Sequence, residues 1–342
     1  MCGEGSGCAG GGGRGPPALL REGLALSRPL DLQESYTLIR DDACGFETVR
    51  DVVVVRGPDA RSWLQGQVSQ DMAALAVGQS TETLVLSPQG KLDAYCRATM
   101  LADEVVLLDT ATGYGELLLR RLGRFRLRVK ADLESGTVSC LEVRGPAATA
   151  SVAGLGPELG ALPKDGRGLG DAWVIAVPVA WTGYAGVDVL KGAGAAGWAP
   201  SHLRLGDPSA FEAARIEAGV PAMGRELTDK TIPHEAGSLV EHTVSFTKGC
   251  YTGQELVARL EARGANVARR LRGVVVDPAG ECSKDATLVS GERVLGHLTS
   301  VAWSPRFSAP VALAYVRRDV VFPAGATLTP GGAHAEIREI PL

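Results

Sequence analysis

The chain is poor in aromatic residues, 5% of 342, which argues against a platform on which nucleic-acid bases stack. It has no apolar run of the roughly 18 residues that a membrane-spanning helix needs. It has no large surplus of one charge, and a net charge of −4 argues against bulk nucleic-acid binding. Neither nucleic acid nor membrane is therefore expected as a partner. The seven cysteines, Cys2, Cys8, Cys44, Cys96, Cys140, Cys250 and Cys282, are odd in number and include no C-x-x-C pair. That suggests neither a disulfide framework nor a zinc site, so no metal is expected, and a reducing cytoplasm fits. The N-terminus lacks a charged stretch followed by an apolar one, so no signal peptide is expected. No repeat, phosphate-binding loop or dinucleotide fingerprint is present, and Gly192-Ala193-Gly194 alone carries no weight.

What is abundant is glycine, at 44 residues. Residues 1–17, with Gly10 to Gly13 consecutive and then Pro16-Pro17, are too poor in apolar side chains to offset the entropy of ordering. Residues 1–30 are expected to form a flexible tail. The length beyond it implies two or three domains.

Patterning places the elements. Val52 to Val55 reads as a buried strand ended by Gly57-Pro58, with Asp59 capping a short helix through Leu64. Thr81–Leu86 and Leu92–Met100 form a hairpin across a Ser87-Pro88-Gln89-Gly90 turn, followed by a strand at Glu104–Leu108. Glu116–Leu122 is helical, and Leu127–Leu133 is expected as a strand. The segment 120–130, across their junction, carries Arg120, Arg121, Arg124, Arg126, Arg128 and Lys130. It reads as a solvated edge, or as a receptor for an anionic chain. Strands are expected at 137–144, 172–179 and 187–190 around a Gly/Pro-rich middle at 154–170. Asp207 and Pro208 start a helix that Gly219 and Pro221 end. Beyond Asn266, short strands at Leu271–Val276, Ala286–Val289, Val294–Ser300 and Val311–Val316 suggest a small all-β barrel.

The densest collection of reactive groups is Lys248-Gly249-Cys250-Tyr251-Thr252-Gly253-Gln254-Glu255. Thr252 and Glu255 have the spacing of a capping box for a helix running to about Arg263, with Gly264 as its left-handed C-terminal cap. Cys250 would then lie two residues before that helix, near its positive end and near Lys248. Both favour thiolate. The plainer alternative is a small buried thiol beside an ordinary helix start.

The same octapeptide resembles the signature of the YgfZ-type folate-binding proteins, relatives of the glycine-cleavage T-protein (aminomethyltransferase). The resemblance extends to Arg56–Ala60 with Trp63–Val68, to Arg215-Ile216-Glu217-Ala218-Gly219 and to Arg263–Asn266. It covers roughly residues 31–342. It implies an α+β fold of three domains around a central folate hole. The first would comprise 31–130 plus 206–266, the second 131–205, and a C-terminal all-β barrel 267–342. It also implies tetrahydrofolate, or a one-carbon derivative, as cofactor, and iron–sulfur client or assembly proteins as partners.

By resemblance, Glu217 accepts the pterin's paired N–H donors, with Asp93, Tyr251, Gln254 and Glu235 as further folate contacts. Cys250 and Lys248 are the expected catalytic pair. From the residues alone, Glu217 pairs instead with an arginine, and Glu235 with His234 forms a structural turn. The chain departs from T-proteins where they carry an Asp-Asp pair, for here Ala94 follows Asp93. It departs again at Cys250-Tyr251, where they carry Asp-Phe. The expected function is therefore folate binding in support of iron–sulfur cluster assembly or repair. Aminomethyl transfer and a non-catalytic adaptor are the alternatives. A lone cysteine cannot hold an iron–sulfur cluster, so none is expected to stay bound to the isolated protein.

Overall fold

The computed structural model describes residues 30–124, 126–153, 169, 173–192 and 202–342. Of the tail expected at 1–30, residues 1–29, with Cys2 and Cys8, lie outside the described residues, as does most of the Gly/Pro-rich middle; Leu30 is described and buried.

The chain opens with helix α1, Leu32–Asp41. A complete capping box starts it: the Asp31 side chain accepts from the Glu34 N–H, and the Glu34 side chain from the Asp31 N–H. Strand β1, Cys44–Arg56, runs well beyond the expected valines. Helix α2, Ala60–Gln65, follows without a side-chain cap, because the Asp59 carboxylate accepts from the Lys130 N–H instead. Then come β2, Ser80–Leu86, β3, Leu92–Ala102, and β4, Val105–Ala111. Helix α3 spans Gly115–Gly123 and β5 spans Asp132–Arg144.

The strand expected at Leu127–Leu133 is thereby corrected to one that starts at Asp132. Residues 126–131 form a turn that closes over Gly57, where a Cβ would collide with the Lys130 carbonyl, and Leu127 is exposed. The short α4, Ala148–Ser151, leads on to β6, Val174–Trp181, and β7, Tyr184–Lys191.

All seven strands form one antiparallel sheet in the order β2-β3-β4-β1-β5-β7-β6. The boundary expected at 130/131 falls between β1 and β5, which pair in register from Cys44↔Arg144 to Arg56↔Asp132. The two expected domains thus share a continuous sheet. One face is apolar and covered by α2 and α3, through Trp63, Leu64, Leu118 and Leu122. The other face changes character along its strands. At one end alternate residues are apolar: Val52, Val54, Leu107, Val138, Cys140 and Leu190. Continuing by steps of two along the same strands, the side chains become Arg50, Asp109, Glu142, Arg144 and Asp188.

Helix α5, Pro208–Glu217, lies against the charged end. Asp207 caps it, accepting from Ser209, and Gly219 leaves it at φ +72°. Its alanines 210, 213 and 214 are fully buried against α1 and Phe46. Ile216 packs on the other side, against barrel residues Leu271, Val311 and Leu313. A 3-10 turn at Pro233–Glu235 precedes α6, Leu239–Thr243, and α7, Gln254–Ala262.

The remaining strands are β8, Arg269–Val276, β9, Thr287–Ser290, β10, Arg293–Ser304, β11, Ala309–Arg317, β12, Ala324–Thr329, and β13, His334–Arg338. They close into a barrel in the order β10-β11-β8-β13-β12-β9. The expected barrel is present, with two strands more than its patterning showed: β12 and β13 each place only a few apolar side chains inward, among them Leu328 and Ile337. No helix of the described residues is long and apolar enough to cross a membrane.

Candidate functional site

Helix α7 begins at Gln254, so the box expected from Thr252 and Glu255 is corrected: Gly253, at φ +83°, precedes the helix and no side chain caps it. Packing explains the change. A Cβ at Gly253 would meet the Ser87 carbonyl and Leu86, and one at Gly90, also left-handed, would meet Leu256. The β2–β3 turn and the start of α7 meet backbone to backbone, which bends the chain away from the path Thr252 would need to cap it. Cys250 stands three residues before the residue that precedes the helix, Gly253, instead of two before Thr252. The far end follows expectation, with Gly264 at φ +71° and its N–H donating to the Glu261 carbonyl.

Lys248 is buried and turned away from solvent. Its ammonium donates to the carbonyls of Gln65 at 2.6 Å, Val68 at 2.8 Å and Gln70 at 2.9 Å, which uses all three of its donors. Burial pushes its pKa down to about 8, with Asp71 opposing. The Thr252 N–H donates to Gly66, the Ser245 N–H to Ser69, and the Ser69 hydroxyl to Thr243. Trp63–Val68 and Lys248–Glu255, two segments that the sequence singled out far apart, are therefore one construction. Tyr251 belongs to its core, packed among Leu84, Leu92, Leu239 and Val257 under the Lys248 ammonium, and burial pushes its hydroxyl up to about 12.

On this fixed base Cys250 is exposed. Cys44, Cys96 and Cys140 are buried and Cys282 is partly buried, and burial pushes Cys44 up to about 12 and Cys282 up to about 11. Among the described residues, no three His, Cys, Asp or Glu side chains gather as a metal site.

The structure does not bring the expected folate contacts together. Gln254 accepts from the Tyr251 N–H at 3.3 Å, and both line an open hollow beside Pro88. Asp93 accepts from Arg121 at 2.6 Å, and Arg121 also donates to the Leu86 carbonyl, so this buried member of the basic run braces the hairpin. Glu235 is buried and takes Arg269 of the barrel in a two-pronged contact at 3.1 Å. His234 pairs with Glu261 at 3.3 Å, and burial lowers its pKa.

Glu217 is 1% exposed at the end of α5. One carboxylate oxygen accepts from Tyr36 at 2.7 Å and Tyr184 at 2.6 Å; the other accepts from Ser304 at 2.6 Å. Arg306 stands 3.8 Å away. The arginine partner expected for a buried carboxylate is largely replaced by three hydroxyls. Arg215 instead pairs with Glu212 and Glu226.

A cavity of about 180 Å³ lies between the charged end of the sheet and α5 with the segment after it. Tyr95, Trp181 and Phe211 give it aromatic walls; Arg50, Arg97, Arg144, Arg215, Glu82, Glu142 and Asp188 give it charge. None of the expected folate residues lines it. The arginines are mostly engaged. Arg50 and Arg97 hold Asp109, Arg97 also reaches Asp188 at 3.0 Å, and Arg144 reaches Asp188 at 2.8 Å. Burial works against a charged Asp188, but Arg144, Arg97 and Arg50 outweigh it and hold its pKa at about 2.

Sequence reasoning missed this cavity because its side chains come one to three at a time from seven strands, with more from α5 and the segment after it. The one available signal was charge interrupting strands otherwise apolar on that face, at Arg50, Asp109, Glu142 and Asp188.

Comparison with known proteins places these features. Residues 269–338 match the family described as the glycine cleavage T-protein C-terminal barrel domain. A protein of Edwardsiella ictaluri (strain 93-146) named tRNA-modifying protein YgfZ is 32% identical over 218 residues, which cover 62% of this chain and 65% of that protein. The matched part is thus just under two thirds of that relative's length. An aminomethyltransferase of Streptomyces avermitilis is 28% identical over 290 residues, 77% of this chain and 75% of that protein. In fold, the chain is similar to the crystal structure of the glycine cleavage system aminomethyltransferase T from Bartonella henselae. The TM-score is 0.76 at 22% identity, covering 93% of this chain and 91% of that one.

Proposed function

We propose that this chain, similar to tRNA-modifying protein YgfZ and carrying a T-protein C-terminal barrel domain, is a YgfZ-type protein of the glycine-cleavage T-protein-like superfamily that binds a tetrahydrofolate and supports the assembly or repair of iron–sulfur enzymes. Cys250 is its functional thiol. The observation that carries this reading is Cys250 itself: an exposed thiol on a loop whose neighbours are tied down by Lys248, Thr252 and Ser245. Such a loop presents sulfur to a partner from a rigid support.

In this reading the pterin end of the folate occupies the central cavity. Its volume is room for roughly a dozen waters, the scale of one two-ring heterocycle, and it combines aromatic walls with polar groups. The bound folate would supply a one-carbon carrier; the rest of its length would lie outside the cavity. Aminomethyl transfer is disfavoured because Ala94 is fully buried in an apolar cluster with Val53, Val55 and Leu108. The position at which T-proteins carry a carboxylate therefore offers none. The chain's partners are iron–sulfur client or assembly proteins, and the cluster is cargo. With a net charge of −4, nucleic acid is not among the partners in this reading.

Titration calorimetry with tetrahydrofolate, joined to complementation of cells lacking the protein, tests it. Wild type and Cys250→Ser should both bind folate, and only wild type should restore iron–sulfur enzyme activity. A Cys250→Ser variant that restores activity fully would move the adaptor reading to the front. Turnover of an aminomethyl-lipoyl carrier, or tight binding of tRNA, would replace this reading by another.

A further inference from the structure

The basic run at 120–130 has no part in the chemistry proposed above. It carries Arg120, Arg121, Arg124, Arg126, Arg128 and Lys130 with no Asp or Glu among them, in a chain of net charge −4. Arg121 is used to brace the hairpin, and Arg126 donates to the Ala131 carbonyl with Asp132 at 3.5 Å. Arg120, Arg124, Arg128 and Lys130 are exposed, and their side chains make no hydrogen bond or ion pair among the described residues. The nearby carboxylates are engaged elsewhere: Asp59 accepts from the Lys130 backbone, and Glu134 stands 3.9 Å from Arg56. Between these cations Leu127 is 86% exposed, and Arg128 holds φ +62°, a left-handed backbone that disfavours any residue with a Cβ. Unpaired cations around an outward apolar side chain, on such a backbone, stabilise nothing in the free protein. Features of this kind mark a surface kept for contact.

Two routes tie this segment to the thiol loop. Arg121 donates to the Leu86 carbonyl, and Gly253 packs on the Leu86 side chain, three residues from Cys250. The Lys130 carbonyl accepts from the Asp59 N–H just before α2, and the Gln65 carbonyl at the end of that helix accepts from Lys248. A six-residue helix is about 9 Å long and three residues of chain reach about 10 Å at most. The basic run and Cys250 therefore fit within one protein–protein interface, about 800 Å² per partner.

We propose that residues 120–130 dock an acidic protein and so deliver it to Cys250. The inference rests on the reading above, in which Cys250 meets a protein partner, and names that partner's surface: carboxylates around an apolar recess that takes Leu127. Arginine forks pair with carboxylates two-pronged, and opposite charge speeds encounter. A nucleic-acid backbone offers nothing to Leu127, and a lipid surface needs more apolar area than one side chain of a turn provides.

Delivery is measured with two peptides of equal length, one of Asp and Glu around a central Leu, the other with Asn and Gln in place of the acids. Both carry a pyridyl disulfide at one end. The Cys250 thiolate attacks that disulfide, forms a mixed disulfide with the peptide and releases 2-thiopyridone, whose absorbance gives the rate. Cys250→Ser supplies the background from other thiols. The acidic peptide should react ~10- to 100-fold faster than the neutral one at low salt, and the advantage should shrink as salt rises. The double variant Arg124→Glu with Lys130→Glu should abolish the advantage and leave the neutral peptide's rate and the melting temperature unchanged. Leu127→Ser should slow the acidic peptide ~3- to 10-fold, the worth of a half-buried leucine. Equal rates for the two peptides, or an advantage that survives charge reversal, overturn the docking site; Cys250 remains the functional thiol if Cys250→Ser still fails complementation. An advantage lost on charge reversal but untouched by Leu127→Ser replaces the protein by a free anionic chain. Stronger competition from tRNA or phosphatidylserine vesicles than from the acidic peptide without its disulfide replaces it by that partner.

Discussion

The loop around Cys250 and the central cavity are both built from polar side chains, but they use them in opposite ways. At the loop, polarity faces the backbone: Lys248 gives its three donors to the carbonyls of Gln65, Val68 and Gln70. What is left over is one exposed thiol. In the cavity, polarity faces other side chains. Arginines and aspartates from several strands neutralise one another, and what is left over is Glu142. A dense polar motif in sequence can therefore be mostly scaffold, while a scattered one can line a cavity. The informative residues in each place are those the protein's own structure does not use.

The largest test of this contrast is Asp188→Ala. It strips Arg97 and Arg144 of a shared buried partner and should destabilise the fold by about 3–5 kcal/mol, seen as a lower denaturation midpoint. A loss near zero would mean that the cavity network is not a buried one. Lys248→Met should cost less, about 2 kcal/mol, since it leaves carbonyls of the 65–70 segment without donors. Hydrogen exchange should quicken at 65–70 and 245–252 and not in the barrel; uniform quickening would deny the loop its independence.

Acid should separate the two neighbouring carboxylates next. Asp188, held at about 2 against an unfolded value near 3.9, adds stability that is full above about pH 4 and is lost as the pH falls towards 2. Glu142, raised, has the opposite sign: its contribution is full below its unfolded value, about 4.3, and is lost as the pH rises through its folded one. Asp188→Asn should flatten the acid limb of the stability curve, and Glu142→Gln should lift the neutral one. The smallest effect belongs to Cys250→Ser, within about 0.5 kcal/mol of wild type. Peptide mapping after brief maleimide treatment should find Cys250 modified before Cys44, Cys96 and Cys140.

Which parts were readable from sequence follows the same division. The barrel and the β2–β3 hairpin were legible because alternation and turn residues are local signals. So was α5, with Asp207, Pro208 and Gly219 at their expected places. The T-x-x-E box at Thr252 was misread, since the spacing holds but Gly253 must fit against the β2–β3 turn, a contact that no local pattern encodes. The D-x-x-E box at Asp31 passed unnoticed and is formed. Lys248 was legible as important but not as a clamp, because its acceptors lie 178 to 183 residues away. The cavity was hidden because register across the sheet, not spacing along the chain, sets Glu142 opposite Asp188.

Glu217 also has a consequence for the order in which the molecule can be made. Its hydroxyl donors stand 181 and 33 positions earlier in the chain, at Tyr36 and Tyr184, and 87 positions later, at Ser304. On the ribosome, Tyr36 and Tyr184 emerge before Glu217, and for the time it takes to make 87 more residues its second oxygen has only water. The helix that divides sheet from barrel is thus completed last at its own final residue, and contacts that span so much chain are slow to form. The nascent sheet keeps an open, hydrated corner until β10 arrives to close it.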